Sequence, residues 1–204
     1  MRTIKRSGEH EIEVRKSRFI CSLLRVTSED EAREFIQLQR KTHHDARHHC
    51  SAFVLGDSGE IQKSSDDGEP AGTAGVPMLE VLRRNEITNA VAVVTRYFGG
   101  VLLGAGGLVR AYGGAVSEAL EHVGTLERRP VRVLRVEADY VLAGRLDNDL
   151  RSAGYQVADT SYDAAVRFHV HVPVSDVEAF HAWLAETTGG SAQATEGELI
   201  HAEL

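Results

Sequence analysis

The chain has 204 residues, 42% hydrophobic and 26% charged, which is enough to bury one large core or two smaller ones and too apolar for a disordered chain. No apolar run approaches the ~20 residues a bilayer span requires, and the start MRTIKRSGEHEIEVRKSRF lacks the apolar stretch of a secretory signal. The net charge of −7 divides unequally: residues 1–128 hold 17 Lys/Arg against 18 Asp/Glu and residues 129–204 hold 6 against 12, so neither half is a basic nucleic-acid-binding domain, although seven Lys/Arg fall in the first 25 residues. Cys21 and Cys50, the only cysteines, form no CxxC pair, which predicts buried reduced thiols and a cytoplasmic setting.

Two strands are predicted over 10–14 and 18–25. Ser28-Glu29-Asp30-Glu31 then reads as a capping box opening a helix to about 41, with Ala32, Phe35, Ile36 and Gln39 at helical spacing. His49–Leu55 predicts a strand, and a turn rich in Asp, Gly and Pro follows. A helix over 73–85 has Thr73 as its expected N-cap and Pro77 in its first turn. Ala90–Val94 is a continuous β-branched and small apolar run, the pattern of a strand buried on both faces. A glycine-rich connection over 99–107 leads to an amphipathic helix over 108–122. Arg128-Arg129-Pro130 marks the expected domain boundary, between 128 and 129. Beyond it, strand 131–139, helix 142–153, strands 155–160 and 165–172, helix 175–187 and a strand near 193–203 give βαββαβ, the ferredoxin-like order. The fold class expected is therefore α+β, in two domains.

Three stretches stand apart from ordinary core and surface. KTHHDARHHC, residues 41–50, packs four histidines with Asp45 and Cys50. It reads either as a transition-metal site or as a polar connection, and no zinc-type spacing decides between them. Ser65-Asp66-Asp67-Gly68-Glu69-Pro70 reads either as a stiff turn or as carboxylates holding a cation or orienting basic residues, with Gly72 and Thr73 at a helix start that favours an anion. The third stretch runs from Thr95 to Gly114. Gly99, Gly100, Gly104, Gly106 and Gly107 lie between a buried strand and a helix, the arrangement that cradles phosphate or carboxylate, and Arg96 and Arg110 are the expected guanidinium partners. It matches neither the P-loop nor GxGxxG, and no nucleophile–base arrangement is readable, so no catalytic residue is assigned.

These stretches resemble the IMPACT/YigZ family. The resemblance is carried by Lys16-Ser17-Arg18-Phe19-Ile20, by His43, Asp45, Ala46, His48 and Cys50, by Ser65–Pro70 with Gly72-Thr73-Ala74-Gly75, and by Thr95–Gly100 with Leu103-Gly104-x-Gly106–Tyr112. Arg47, His49 and Val76 depart from the family pattern. The resemblance implies an N-terminal domain with the α/β fold shared by domain IV of elongation factor G, a small-subunit ribosomal protein and the GHMP kinases, followed by a ferredoxin-like domain like domain V of elongation factor G. It further implies a role in translation, since eukaryotic members regulate translation by competing for the activator of a kinase that acts on an initiation factor. On that basis the chain is expected to be a non-enzymatic factor that takes no cofactor and binds RNA, the ribosome or a translation-linked protein. Its binding surface would comprise His43, Asp45, His48, Ser65, Asp66, Asp67, Glu69, Gly72, Thr73, Arg96, Tyr97, Gly99, Gly100, Gly104, Gly106, Gly107 and Arg110. The alternative is an enzyme for a small phosphorylated or carboxylated metabolite, with a divalent cation at Asp66, Asp67 and Glu69. Oligomeric state and any metal stay open at this level.

Overall fold

A computed structural model describes residues 1–203. The chain divides after Glu127 into two compact units. In the first, a five-stranded antiparallel sheet runs in the order β2–β3–β6–β4–β5, with β2 at Gly8–Val14, β3 at Ser17–Arg25, β4 at His48–Leu55, β5 at Ile61–Ser65 and β6 at Ala90–Tyr97. Period-two alternation sorts the strand side chains between two faces. Phe19, Cys21, Leu23, Cys50, Ala52, Val54, Ala92 and Val94 pack on Met78 and Leu82 of α2 (Gly75–Arg84) and on Tyr112 and Val116 of α3 (Ala105–Val123). Phe53, Leu55, Val91 and Val93 pack on Ala32, Phe35 and Ile36 of α1 (Glu29–Thr42). Covered on both faces, β6 has to be apolar throughout its middle.

Ser28 caps α1 as expected, accepting the Glu31 N–H at 3.2 Å, while the Glu31 carboxylate accepts the Thr27 N–H at 2.6 Å. Two strands escaped the sequence reading. β1 (Arg2–Ile4) pairs with Thr125–Glu127, and β5 is an edge strand whose five residues are all exposed, so it shows no alternation to detect. Ser65 thus lies on a strand and not in the turn. Arg128-Arg129-Pro130, expected to mark the domain boundary, lies within a long strand, β7 (Thr125–Ala138), where Pro130 stands opposite His201.

The second unit is built of β7 from residue 128, α4 (Tyr140–Ser152), β8 (Gln156–Tyr162), β9 (Val166–Pro173), α5 (Val177–Thr188) and β10 (Gln193–Glu203). Its strands run in the order β10–β7–β9–β8, every neighbour antiparallel, which is the ferredoxin-like arrangement. Leu134, Val136, Val166, Phe168 and Val170 meet Leu146 and Leu150 of α4 and Phe180 and Leu184 of α5. The architecture is α+β.

One close approach positions the glycine-rich segment. A Cβ on Gly99 would lie 1.9 Å from the Lys16 carbonyl oxygen, so only glycine lets the chain leaving β6 pass the turn between β2 and β3. Gly99→Ala is therefore expected to destabilise the first unit by about 3 kcal/mol in calorimetry, the upper end for overpacking. Gly144, on the exposed side of α4 with nothing near its Cβ position, gives the opposite sign. Gly144→Ala should stabilise the second unit by about 0.5–1 kcal/mol, read from urea unfolding through Trp183 fluorescence.

Candidate functional site

The sheet register brings the three unusual stretches together. β4 and β6 pair with His48 opposite Arg96 and His49 opposite Thr95, and β3 places Phe19 opposite Arg96 and Arg18 opposite Tyr97. The acidic turn follows β5, which lies against β4. An open cavity of about 630 Å³ results, lined by Asp45, Ala46, Arg47, His48, Glu69, Arg96, Tyr97, Phe98 and Leu102.

The three acidic residues of the turn do three separate jobs. Asp66 accepts the N–H groups of Gly72 at 2.8 Å, Ala74 at 3.0 Å and Gly75 at 2.8 Å, and so occupies the start of α2. This corrects two expectations. Thr73 is not the N-cap, since its buried hydroxyl donates to the Pro70 carbonyl at 2.6 Å. The Gly72-Thr73 segment is not open to an external anion, because the chain's own carboxylate holds those donors. Burial alone would raise the Asp66 pKa, but the donors at Gly72, Gly75 and Ala74 outweigh it and hold the group below the usual carboxylate range. Asp67 accepts from Arg40 at 2.6 Å and from the His49 N–H at 2.7 Å, and its own N–H donates to the Ser65 hydroxyl at 3.3 Å.

Glu69 points inward and is almost fully buried. Its Oε1 accepts from Arg96 and from the Tyr112 hydroxyl, both at 2.7 Å. Each carboxylate is thus committed to different partners, and the shared cation site expected of Asp66, Asp67 and Glu69 is not formed. Among the described residues no group of three His, Cys, Asp or Glu is placed to hold a metal ion. The histidines are likewise dispersed. His43 Nδ1 is 2.9 Å from the Tyr97 hydroxyl, His48 Nδ1 is 3.0 Å from the Asp67 carbonyl, and His49 Nε2 is 3.0 Å from the His43 carbonyl.

Arg96 sits behind the cavity with 7% of its side chain exposed. Its guanidinium lies 5.4 Å from the Phe19 ring and 5.6 Å from the Phe98 ring, and its Nε has no hydrogen-bond partner. The Tyr97 hydroxyl donates to Asp45 at 3.0 Å, which holds the Asp45 carboxyl below its ordinary range, while burial and that same carboxylate push the Tyr97 phenol up. Cys50 is no nucleophile: burial pushes its thiol up to about 12, and its Sγ donates to the Asp66 carbonyl at 2.9 Å.

The glycine-rich stretch divides differently from the expectation. Gly104 is the N-cap of α3, at φ +71°, and Gly106 and Gly107 form its first turn, so they belong to the helix and not to a connection. Gly107 and Arg110 line a second concavity of about 230 Å³, together with Arg15, Leu103 and Glu118. Arg110 is therefore not the partner of Arg96 in one cradle. Gly99 and Gly100 lie on the loop that separates Phe98 from Leu102. Arg47, Phe98 and Leu102 line the main cavity and were not singled out from sequence. The available signal was an aromatic and a leucine flanking a Gly-Gly pair, with an arginine where the family pattern has another residue.

The Impact N-terminal domain family matches residues 15–120. The chain belongs to the IMPACT family. A family described as a domain of unknown function (DUF1949) matches residues 136–191. The IMPACT family member YvyE of Bacillus subtilis is 50% identical over 201 residues, covering 98% of this chain and 93% of that protein. YigZ of Escherichia coli is 40% identical over 183 residues, covering 89% and 90%. A solved structure titled as a hypothetical protein aligns at a TM-score of 0.61 with 38% identity, covering 97% of each chain.

Two outcomes follow from the committed charges. Asp66→Asn loses charge-assisted bonds to three backbone donors and should cost about 1–3 kcal/mol at neutral pH. Because the folded pKa lies below the unfolded value near 4, the carboxylate's contribution is present above that value and is lost as pH falls through the folded one. The stability gap between wild type and variant should thus close below about pH 4 in urea titrations. Arg96→Ala strands a buried Glu69 and should destabilise the first unit by about 3–5 kcal/mol, whereas Arg47→Ala should leave its melting temperature unchanged.

Proposed function

We propose that this IMPACT family member is a non-enzymatic regulator of translation that engages RNA, the ribosome or a translation-linked partner through the cavity of its first unit. One observation carries the reading. Residues 45–48, Glu69, residues 96–98 and Leu102 meet in a single open cavity whose groups suit recognition, with an exposed Arg47 and exposed Phe98 and Leu102. The same walls offer no activated nucleophile, because the nearby thiol of Cys50 is held protonated and the Tyr112 phenol, raised by burial, donates to Glu69. Family membership supports the translation part of the reading, through the role that the resemblance implies for eukaryotic members.

Co-sedimentation tests the proposal. The full chain should pellet with ribosomal particles or RNA at about 50 mM salt and be released as salt rises, as expected of a few phosphate contacts on a chain of negative net charge. Arg47→Ala should reduce the pelleted fraction without loss of folding. Arg96→Ala is unsuited as a control because it disturbs the fold. No retention by any RNA or ribosomal fraction would overturn the proposal.

A further inference from the structure

Phe98 and the loop that follows it hold three apolar side chains out in water: Phe98 is 54% exposed and Leu102 82%, with Val101 between them also exposed. Solvent-facing apolar groups clustered on one loop mark a contact surface more often than a packing accident. The loop belongs to both concavities, since Phe98 and Leu102 line the larger and Leu103 the smaller.

Three guanidinium groups at the concavities are unpaired: Arg47 in the larger, and Arg15 and Arg110 in the smaller, have no ion-pair partner among the described residues. Of the carboxylates on the same walls, Glu69 is neutralised by Arg96, while Asp45 accepts from the Tyr97 hydroxyl and Glu118 lies 3.4 Å from His10. An exposed aromatic ring with unpaired guanidinium groups around it is complementary to a strand that alternates planar bases with phosphates.

We propose that the Phe98–Leu102 segment is a stacking platform for an unpaired base of single-stranded nucleic acid, with Arg47 in one concavity and Arg15 and Arg110 in the other receiving the flanking phosphates. This rests on the reading of the larger cavity as the binding site. In a duplex the bases are already stacked and their faces are closed to a protruding side chain, so the platform selects single strands.

Fluorescence anisotropy with the full chain decides it, using a labelled ten-nucleotide RNA, the DNA of the same sequence and a blunt RNA duplex at about 50 mM salt. Both single strands should bind, RNA at least as well as DNA. Phe98→Ala should weaken them about 5- to 100-fold while leaving the salt slope unchanged, and Phe98→Trp should retain binding. Arg15→Ala and Arg110→Ala should each lower the log–log salt slope by about 0.7. The inference is overturned if neither single strand binds, if Phe98→Ala binds like wild type, if the duplex binds with the same dependence on Phe98, or if an acidic aromatic peptide is bound in place of the strands. Failure of the strands with ribosomal pelleting intact removes this inference alone; failure of both removes the broader reading as well.

Discussion

The arrangement of the first unit depends on the buried ion pair between Glu69 and Arg96. Two nearly water-free charges 2.7 Å apart tie the acidic turn to the central strand, and the Tyr112 hydroxyl on the same oxygen adds α3. Such a pair contributes little net stability, because the desolvation of both ions offsets their attraction, but its geometry is enforced, since separating them leaves an uncompensated charge in the interior. The turn must therefore close over β6, and closing it completes the cavity wall. Asp66 and Asp67 secure the same turn at its sides, one on the start of α2 and the other on Arg40 and the His49 backbone. Of the two readings the sequence leaves open, a stiff turn or a ligand loop, the contacts fit the turn: it is a clasp whose carboxylates hold backbone donors and arginines.

Much of the fold is legible because its elements bury faces of definite period. The β-branched run of β6, the Ser28 cap of α1 and the alternation of β9 each declare a burial pattern that a single sequence displays. β5 is invisible for the complementary reason: an edge strand exposed at every position has no period. The start of α2 was misplaced because its capping carboxylate comes from Asp66, eight residues before Ala74, and no local rule anticipates a cap from that distance. The glycines at 106 and 107 read as loop, yet the first turn of a helix needs no side chain to hold it.

The site shows a similar division. Residue types that are costly to bury or unusual in density, such as Arg96, Glu69 and the 43–50 histidines, announce that something is organised there. Their partners are a matter of register between strands and cannot be read from spacing. Arg47, Phe98 and Leu102 give only a faint signal in sequence, an arginine departing from the family pattern and apolar residues flanking a Gly-Gly pair, and it is their exposure beside the cavity that distinguishes them. Arg15, Arg47 and Arg110 meet no carboxylate among the described residues, and all three line the concavities on either side of the glycine-rich loop.

Amide hydrogen exchange of the full chain, with and without ribosomal particles, tests the central claim most directly. Binding through the cavity predicts slowed exchange in peptides covering residues 45–48 and 96–104, with peptides of residues 128–203 unaffected. Protection confined to the second unit, or no change in either, would contradict it.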